Sequence, residues 1–274
     1  MDLRRDALAT LEATSRTFFI PISRLPDGLQ EAVASGYLCM RAIDEVEDHP
    51  DLDNETKARI LRNMSLALQG FPTTTGPEDW LGGAHAVQTT LPEVSLRLHD
   101  WAALAPTPIA GRICDATASM ADRMAHWAEV DWQIHTEADL DRYTFSVAGA
   151  VGLLLSDLWG WYDGTQTDRT EAVGFGRGLQ VVNILRNHQE DLERGADFYP
   201  DGWTDSQMHD YAQRNLALAE AYTRALKPGP VKEFCQLPLV LAQGTLDALM
   251  KGKEKLSRMQ VMMLVQKALQ QAAV

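Results

Sequence analysis

The sequence predicts an all-α protein, a single domain over residues 1–274 whose helices surround an interior. Three observations carry that reading. Apolar residues recur at three- and four-residue steps along nearly the whole chain. No segment alternates with period two, and no Asn-Gly hairpin or internal repeat appears. Turn punctuation is sparse, and none of it has the composition of a flexible linker.

The elements can be taken in chain order. Leu29, Ala32, Val33, Gly36, Tyr37, Met40 and Ile43 mark one amphipathic helix, and Ile60, Met64, Leu66 and Leu68 the next. Phe71–Pro77 is rich in Pro, Thr and Gly and reads as a loop. Ile113, Thr117, Met120 and Met124 begin a further helix. Asp163–Asp168 breaks the pattern. So does Phe198–Trp203, with Thr204 or Asp205 placed to cap the next helix. Lys227-Pro228-Gly229-Pro230 separates two late helical stretches. Beyond it, Val240, Leu241, Leu246, Leu249 and Met250 mark one apolar stripe, and Met259, Met262, Val265 and Leu269 another.

Composition narrows the class. Hydrophobic residues make up 45% of the chain, which excludes wholesale disorder. Lys plus Arg is 25 against 38 Asp plus Glu, a net charge of −13. That balance argues against a general nucleic-acid binder, because a phosphate backbone wants a basic face. It leaves phosphorylated small molecules open, since acidic sites reach phosphate through divalent cations. Cys39, Cys114 and Cys235 are far apart and odd in number, so neither a disulfide framework nor a zinc cage is expected. The opening Met1–Asp6 has no apolar signal core, and the longest near-apolar run, Val147–Leu155, is too short to span a bilayer. The expected location is the cytoplasm, with room for transient membrane contact, although no basic amphipathic anchor stands out.

Four constellations could carry chemistry. In the first helix, Tyr37, Arg41, Asp44 and Asp48 share one face. Taken alone, the acids could line a solvated face or hold Mg²⁺. Later, Gln180, Asn183, Asn187 and Asp191 share a face behind the apolar Val181-Val182, with Arg186 beside them. That stripe is a polar core layer or the wall of a ligand site. Tyr143–Gly152 contains Ala148, Gly149, Ala150 and Gly152, small residues that permit close approach of a neighbouring helix or a ligand. Near the start, Ser15-Arg16-Thr17-Phe18 offers an Arg that either snorkels to water or clamps an anion.

Taken together and in order, these segments resemble the squalene/phytoene synthase family. They are Ser15–Phe18, Tyr37–Asp48, Tyr143–Gly152, Asn183–Arg186 and Glu190-Asp191. Phe198-Tyr199-Pro200 and Phe234–Pro238 look like its squalene synthase branch. The resemblance implies a class I isoprenoid synthase fold with a deep central cavity. It implies Mg²⁺ held by Asp44, Asp48, Asn187 and Asp191, and diphosphate contacts from Ser15, Arg16, Arg41, Gln180, Asn183 and Arg186. It implies catalytic roles for Tyr37, Arg41, Tyr143 and Arg186. The substrate implied is an allylic prenyl diphosphate, and the reaction is head-to-head condensation of two farnesyl diphosphates. NADPH is implied only if the reductive half of the squalene reaction also occurs. Lys255 and Arg258 lie near the basic segment associated with that cofactor, where a solvated helix end is the simpler reading.

The chain also departs from the family pattern. Asn187 stands where the second motif opens with Asp, Ala196 where an Arg is usual, and His49 where an acid is common. Asn keeps an oxygen ligand but loses its charge. Two alternatives therefore accompany the first expectation. One is transfer of a prenyl group to a second small-molecule acceptor such as an aromatic ring. The other is a prenyl-binding partner without catalysis.

Overall fold

The structure is a computed structural model. It describes residues 2–73, 76–81, 88–193, 195–253 and 255–272; the side chains of Arg16, Gln271 and Ala272 lie outside the description. The described residues form helices joined by turns and loops, with no strand among them. The chain divides into two compact units, Met1–Asp131 and Trp132–Val274.

The first unit is organised around α3 (Leu29–Glu47). Around it pack α1 (Leu3–Thr14), α2 (Arg16–Ser23), α4 (Asn54–Gln69) and α8 (Thr107–Glu129), with the short α5 (Glu78–Leu81), α6 (Glu93–Leu96) and α7 (Leu98–Ala103). Leu29, Ala32, Val33, Leu38, Cys39, Ala42, Ile43 and Val46 bury most of the circumference of α3. One stripe escapes: Tyr37, Arg41, Asp44 and Glu45 are half-buried and Asp48 is exposed. A helix that is apolar nearly all round belongs in a core, so a charged stripe along it marks a face its neighbours leave uncovered. Leu66, expected with the apolar positions of α4, instead lies on its exposed side.

The second unit begins with α9 (Glu137–Thr144), capped by Thr136, whose side chain accepts from the Asp139 N–H. A π-helical turn, Phe145–Gly149, leads directly into α10 (Ala150–Asp163). Then come α11 (Arg169–Glu193), α12 (Asp205–Ala225), α13 (Pro230–Met250) and α14 (Arg258–Ala272). Helix α11 is the hub and packs on the π turn, α10, α12 and α13. Thr204 caps α12, and the helix ends before the Pro-Gly-Pro break. A buried Tyr222 hydroxyl ties α12 to α10, accepting from Trp159 Nε1 at 2.9 Å and lying 3.1 Å from Ser156 Oγ.

The small residues after Tyr143 serve helix packing. A Cβ on Gly152 would lie 1.9 Å from the Ala172 carbonyl oxygen, and one on Gly176 would lie 2.0 Å from that of Ala148. The backbones of α10 and α11 therefore touch where any side chain would separate them. Of the two sequence readings for this stretch, close helix approach accounts for Gly152.

Candidate active site

Helix α2 begins at Ser15, whose Oγ accepts from the Phe18 N–H at 3.2 Å. The same Ser15 side chain lies beside the Tyr37 phenol and lowers its pKa. Phe18 lies against the Tyr37 ring, with centroids 5.5 Å apart. One serine thus starts a helix and sits beside the first tyrosine. Burial raises the Tyr37 phenol above its ordinary value, while Ser15 and Arg41 pull it down.

One turn on, Arg41 pairs with Glu45 and lies 3.8 Å from Asp44. Its Nε is buried without an acceptor. A buried donor of that kind carries an uncompensated desolvation cost, which an anionic ligand would relieve. Asp44 shows the opposite imbalance. Its carboxyl is pushed up to about 7, by burial first and by Asp48 second, against the pull of Arg41. Two acids one turn apart beside the Arg41 guanidinium suit a divalent cation. Glu45 is absent from the expected site residues. Its i,i+4 spacing from Arg41 is the signal in the sequence, hidden because a stripe counted 37, 41, 44, 48 steps over it. His49 is buried, its Nε2 3.4 Å from the Thr90 carbonyl and its Nδ1 accepting from the Asp51 N–H. It closes the turn after α3.

The second unit presents a different face. On α11 the Arg186 guanidinium donates to Asn183 Oδ1 at 2.7 Å and to Asn187 Oδ1 at 3.1 Å. Asn187 Nδ2 donates to the same Asn183 oxygen at 3.4 Å. These three expected site residues form one hydrogen-bonded set. Gln180 is half-buried one turn earlier. Asp191 is 5% exposed at the far end, where its carbonyl accepts from the Ala196 N–H at 2.9 Å.

Tyr143 is buried and stacked on Phe198, with centroids 4.7 Å apart and rings inclined by 16°. His188 stacks on Tyr199 at 3.7 Å, and the Tyr199 hydroxyl donates to Asp205 at 3.0 Å. The Phe198-Tyr199 loop is thereby held against both α9 and α11. Two residues before Tyr143, the Asp141 carbonyl accepts from Arg177 Nη2 at 2.8 Å and the Asp141 carboxylate from the Tyr211 hydroxyl at 2.6 Å. Spacing along the chain could not have revealed Phe198, His188 or Arg177, because their partners lie on other elements. The Arg16 side chain lies outside the described residues.

Among the described residues, no three or more His, Cys, Asp or Glu side chains gather as a metal cage. Mg²⁺ does not require one, because it commonly takes one or two carboxylates and completes its shell with water and substrate phosphates. Asp44 and Asp48 fit that pattern.

A model of squalene/phytoene synthase sequences matches residues 11–206. The chain belongs to that family. Squalene synthase of Schizosaccharomyces pombe is 29% identical over 89% of this chain, and that of Homo sapiens 29% identical over 96%. The chain spans 59% of the first protein's length and 69% of the second's. Among solved structures, TcSQS in complex with the ligand E5700 superposes with a TM-score of 0.80 at 24% identity. That match covers 99% of this chain and 89% of the other. A dehydrosqualene synthase in complex with a ligand gives 0.69 at 16% identity, covering 97% and 95%. At these identities the structural likeness speaks for the family's all-α fold.

Proposed function

We propose that this family member is a Mg²⁺-dependent prenyltransferase that ionises an allylic prenyl diphosphate and condenses two farnesyl diphosphates head-to-head. The observation that carries the proposal is the α3 stripe. Paired carboxylates sit beside an arginine whose buried Nε lacks an acceptor, on the one uncovered face of a core helix. In this reading residues 1–274 make up one isoprenoid synthase domain.

Asp44 and Asp48, with Asn187 and Asp191, would hold Mg²⁺, whose charge eases departure of the diphosphate. The chain's own residues do the rest. Arg41 and Arg186, with Ser15, Arg16, Gln180 and Asn183, bind and orient the diphosphate oxygens. The stacked Tyr143 and Phe198 present aromatic faces suited to a developing allylic cation. Tyr37, packed against Phe18, supplies a hydroxyl beside the acidic face. The apolar surroundings keep water from the cation. NADPH enters only if the squalene product is completed by reduction. The expected setting is the cytoplasm, with transient membrane contact.

One observation favours a second reading. The α11 face offers an amide at position 187, and that oxygen already accepts from Arg186. A site weaker in metal suits a single diphosphate, with the prenyl group passed to another acceptor such as an aromatic ring.

The test is incubation with Mg²⁺ and C5, C10, C15 or C20 allylic diphosphates, with and without NADPH. Diphosphate release is measured and products are identified by mass. A C30 hydrocarbon or its cyclopropyl diphosphate precursor from the C15 substrate is the expected outcome. Release only after addition of an aromatic acceptor would establish the second reading. Saturable binding without release under any condition would make the chain a prenyl-binding protein and overturn both.

A further inference from the structure

Asp141 is the point where three helices of the second unit meet. Its backbone carbonyl accepts from Arg177 Nη2 of α11 at 2.8 Å, and Arg177 Nη1 stands 3.5 Å from its carboxylate. The same carboxylate accepts from the Tyr211 hydroxyl of α12 at 2.6 Å. Tyr211 is buried, and burial together with the Asp141 bond pushes its phenol up to about 12, so it stays a donor. Thr144 Oγ1, at the end of α9, lies 3.5 Å from that hydroxyl. The α-helical ladder loosens here. The Phe145 N–H is shared between the Asp141 and Arg142 carbonyls as the π turn begins. A carbonyl with only part of a backbone donor gains most from the charged donor that Arg177 brings.

Arg177 also reaches the other end of the π turn. A Cβ on Gly149, the last residue of the turn, would lie 3.5 Å from Arg177 Cγ. Beside Arg177, Gly176 already brings α11 against the Ala148 carbonyl. The arginine therefore lies along the turn, its stem at Gly149 and its guanidinium at Asp141. Its Nε is buried without a partner. That is a standing desolvation cost, which an apolar side chain of similar length would avoid. The arginine is thus a poor device for stability and a good one for fixing a geometry. Tyr143 lies within the span so held, between Asp141 and the π turn.

We propose that Arg177 is a positioning residue, which clamps both ends of the π turn and so fixes the Tyr143 ring in its stack on Phe198. The inference rests on the reading of Tyr143 above, as an aromatic face for the developing allylic cation. Arg177 acts through the turn and not by touching the diphosphate. Attraction between a cation and a ring depends on their distance and angle. A displacement of about 1 Å, caused far from the chemistry, can cost up to about 10²-fold in rate. Diphosphate binding draws on other side chains, so the clamp should act on kcat and spare KM.

The experiment is steady-state diphosphate release by the whole chain, with Mg²⁺ and the C15 allylic diphosphate, well below the melting temperature of every variant. Arg177→Leu should lower kcat by roughly 10- to 100-fold and leave KM within about threefold. Arg177→Lys keeps a charged donor without the planar fork and should recover part of the loss. Tyr211→Phe removes only the second bond to Asp141 and should cost less than Arg177→Leu. In a Tyr143→Ala background, Arg177→Leu should add less than about threefold, because the ring it positions is gone. An unchanged kcat in Arg177→Leu, an effect on KM alone, or losses fully additive with Tyr143→Ala would each overturn the proposal. Should Arg177→Leu fail to fold, Arg177→Lys and Tyr211→Phe carry the same additivity test. A wild type without release, or a fully active Tyr143→Ala, would instead overturn the reading of Tyr143. The clamp then stands or falls on amide hydrogen exchange: protection over residues 143–150 should drop in Arg177→Leu, and equal protection would overturn it.

Discussion

The two polar faces, one in each unit, are built on opposite principles. The α3 face is charged: two carboxylates, Glu45 and a guanidinium stand on a helix otherwise largely buried. Its strain is electrostatic, seen in the raised Asp44 carboxyl and the unpartnered Arg41 Nε. The α11 face is neutral apart from its arginine and Asp191, and its two asparagine oxygens already accept from Arg186. One face is poised for ligands that bring charge. The other is pre-ordered by internal hydrogen bonds and has less to gain from them. The difference shows that equal helical spacing does not imply equal chemistry.

The sharpest way to break this comparison is at Asp44. Asp44→Ala removes the carboxylate most in need of a cation, and diphosphate release should fall by about 10³-fold at saturating Mg²⁺. A loss below about tenfold would move the charged site elsewhere. Asp48→Ala should cost more turnover than Asn187→Ala, by roughly tenfold or more, because only the first removes a formal charge. Steady-state kinetics on both variants test the ranking, and equal or reversed losses would erase the contrast between the faces. Asn187→Asp sharpens it from the other side. The new carboxylate gives Arg186 a charge-assisted partner and adds an anionic oxygen ligand. The Mg²⁺ concentration for half-maximal activity should drop several-fold, as read from a metal titration. An unchanged titration would mean that position 187 does not touch the metal.

A smaller effect, on stability alone, separates scaffold from site. Gly176→Ala places a methyl against the Ala148 carbonyl. Overpacking should cost about 1–3 kcal/mol, exceeding the ~1 kcal/mol that Ala gains in helix propensity. Thermal unfolding should therefore occur several degrees lower. A rise in melting temperature would show that α11 can move away from the π turn without penalty.

Much of this arrangement is readable from the sequence. The stripe 37, 41, 44, 48 follows from helical period alone and lies where that period puts it. The Asn183–Asn187 face is also legible, as are the Thr204 cap and the Pro-Gly-Pro break. The features that escape depend on partners distant in sequence. Tyr143 meets Phe198 and His188 meets Tyr199 through a loop whose path no periodicity encodes. Period also fails where both sides of a helix are apolar. In α14, Met262 and Val265 share a step of three, yet the first is exposed and the second half-buried. The packing of Leu264, Val265 and Ala268 against α13, with Gly244 leaving room for Leu264, determines which side turns inward.

The turn at Phe145–Gly149 bears on the register of every residue after it. A π turn accommodates one residue more than the α-helix would, so it acts as a phase shift. Tyr143 before it and Gly152 behind it are out of step by about 100°, the angle one residue occupies on a helical wheel. Deleting a single residue within 145–149 would restore a regular helix and swing one of these two positions off its partner. Either the tyrosine would leave Phe198, or the glycine would leave Ala172. At this bend the chain length is as much a specification as the side chains, and an inserted or deleted residue would be felt more than most substitutions.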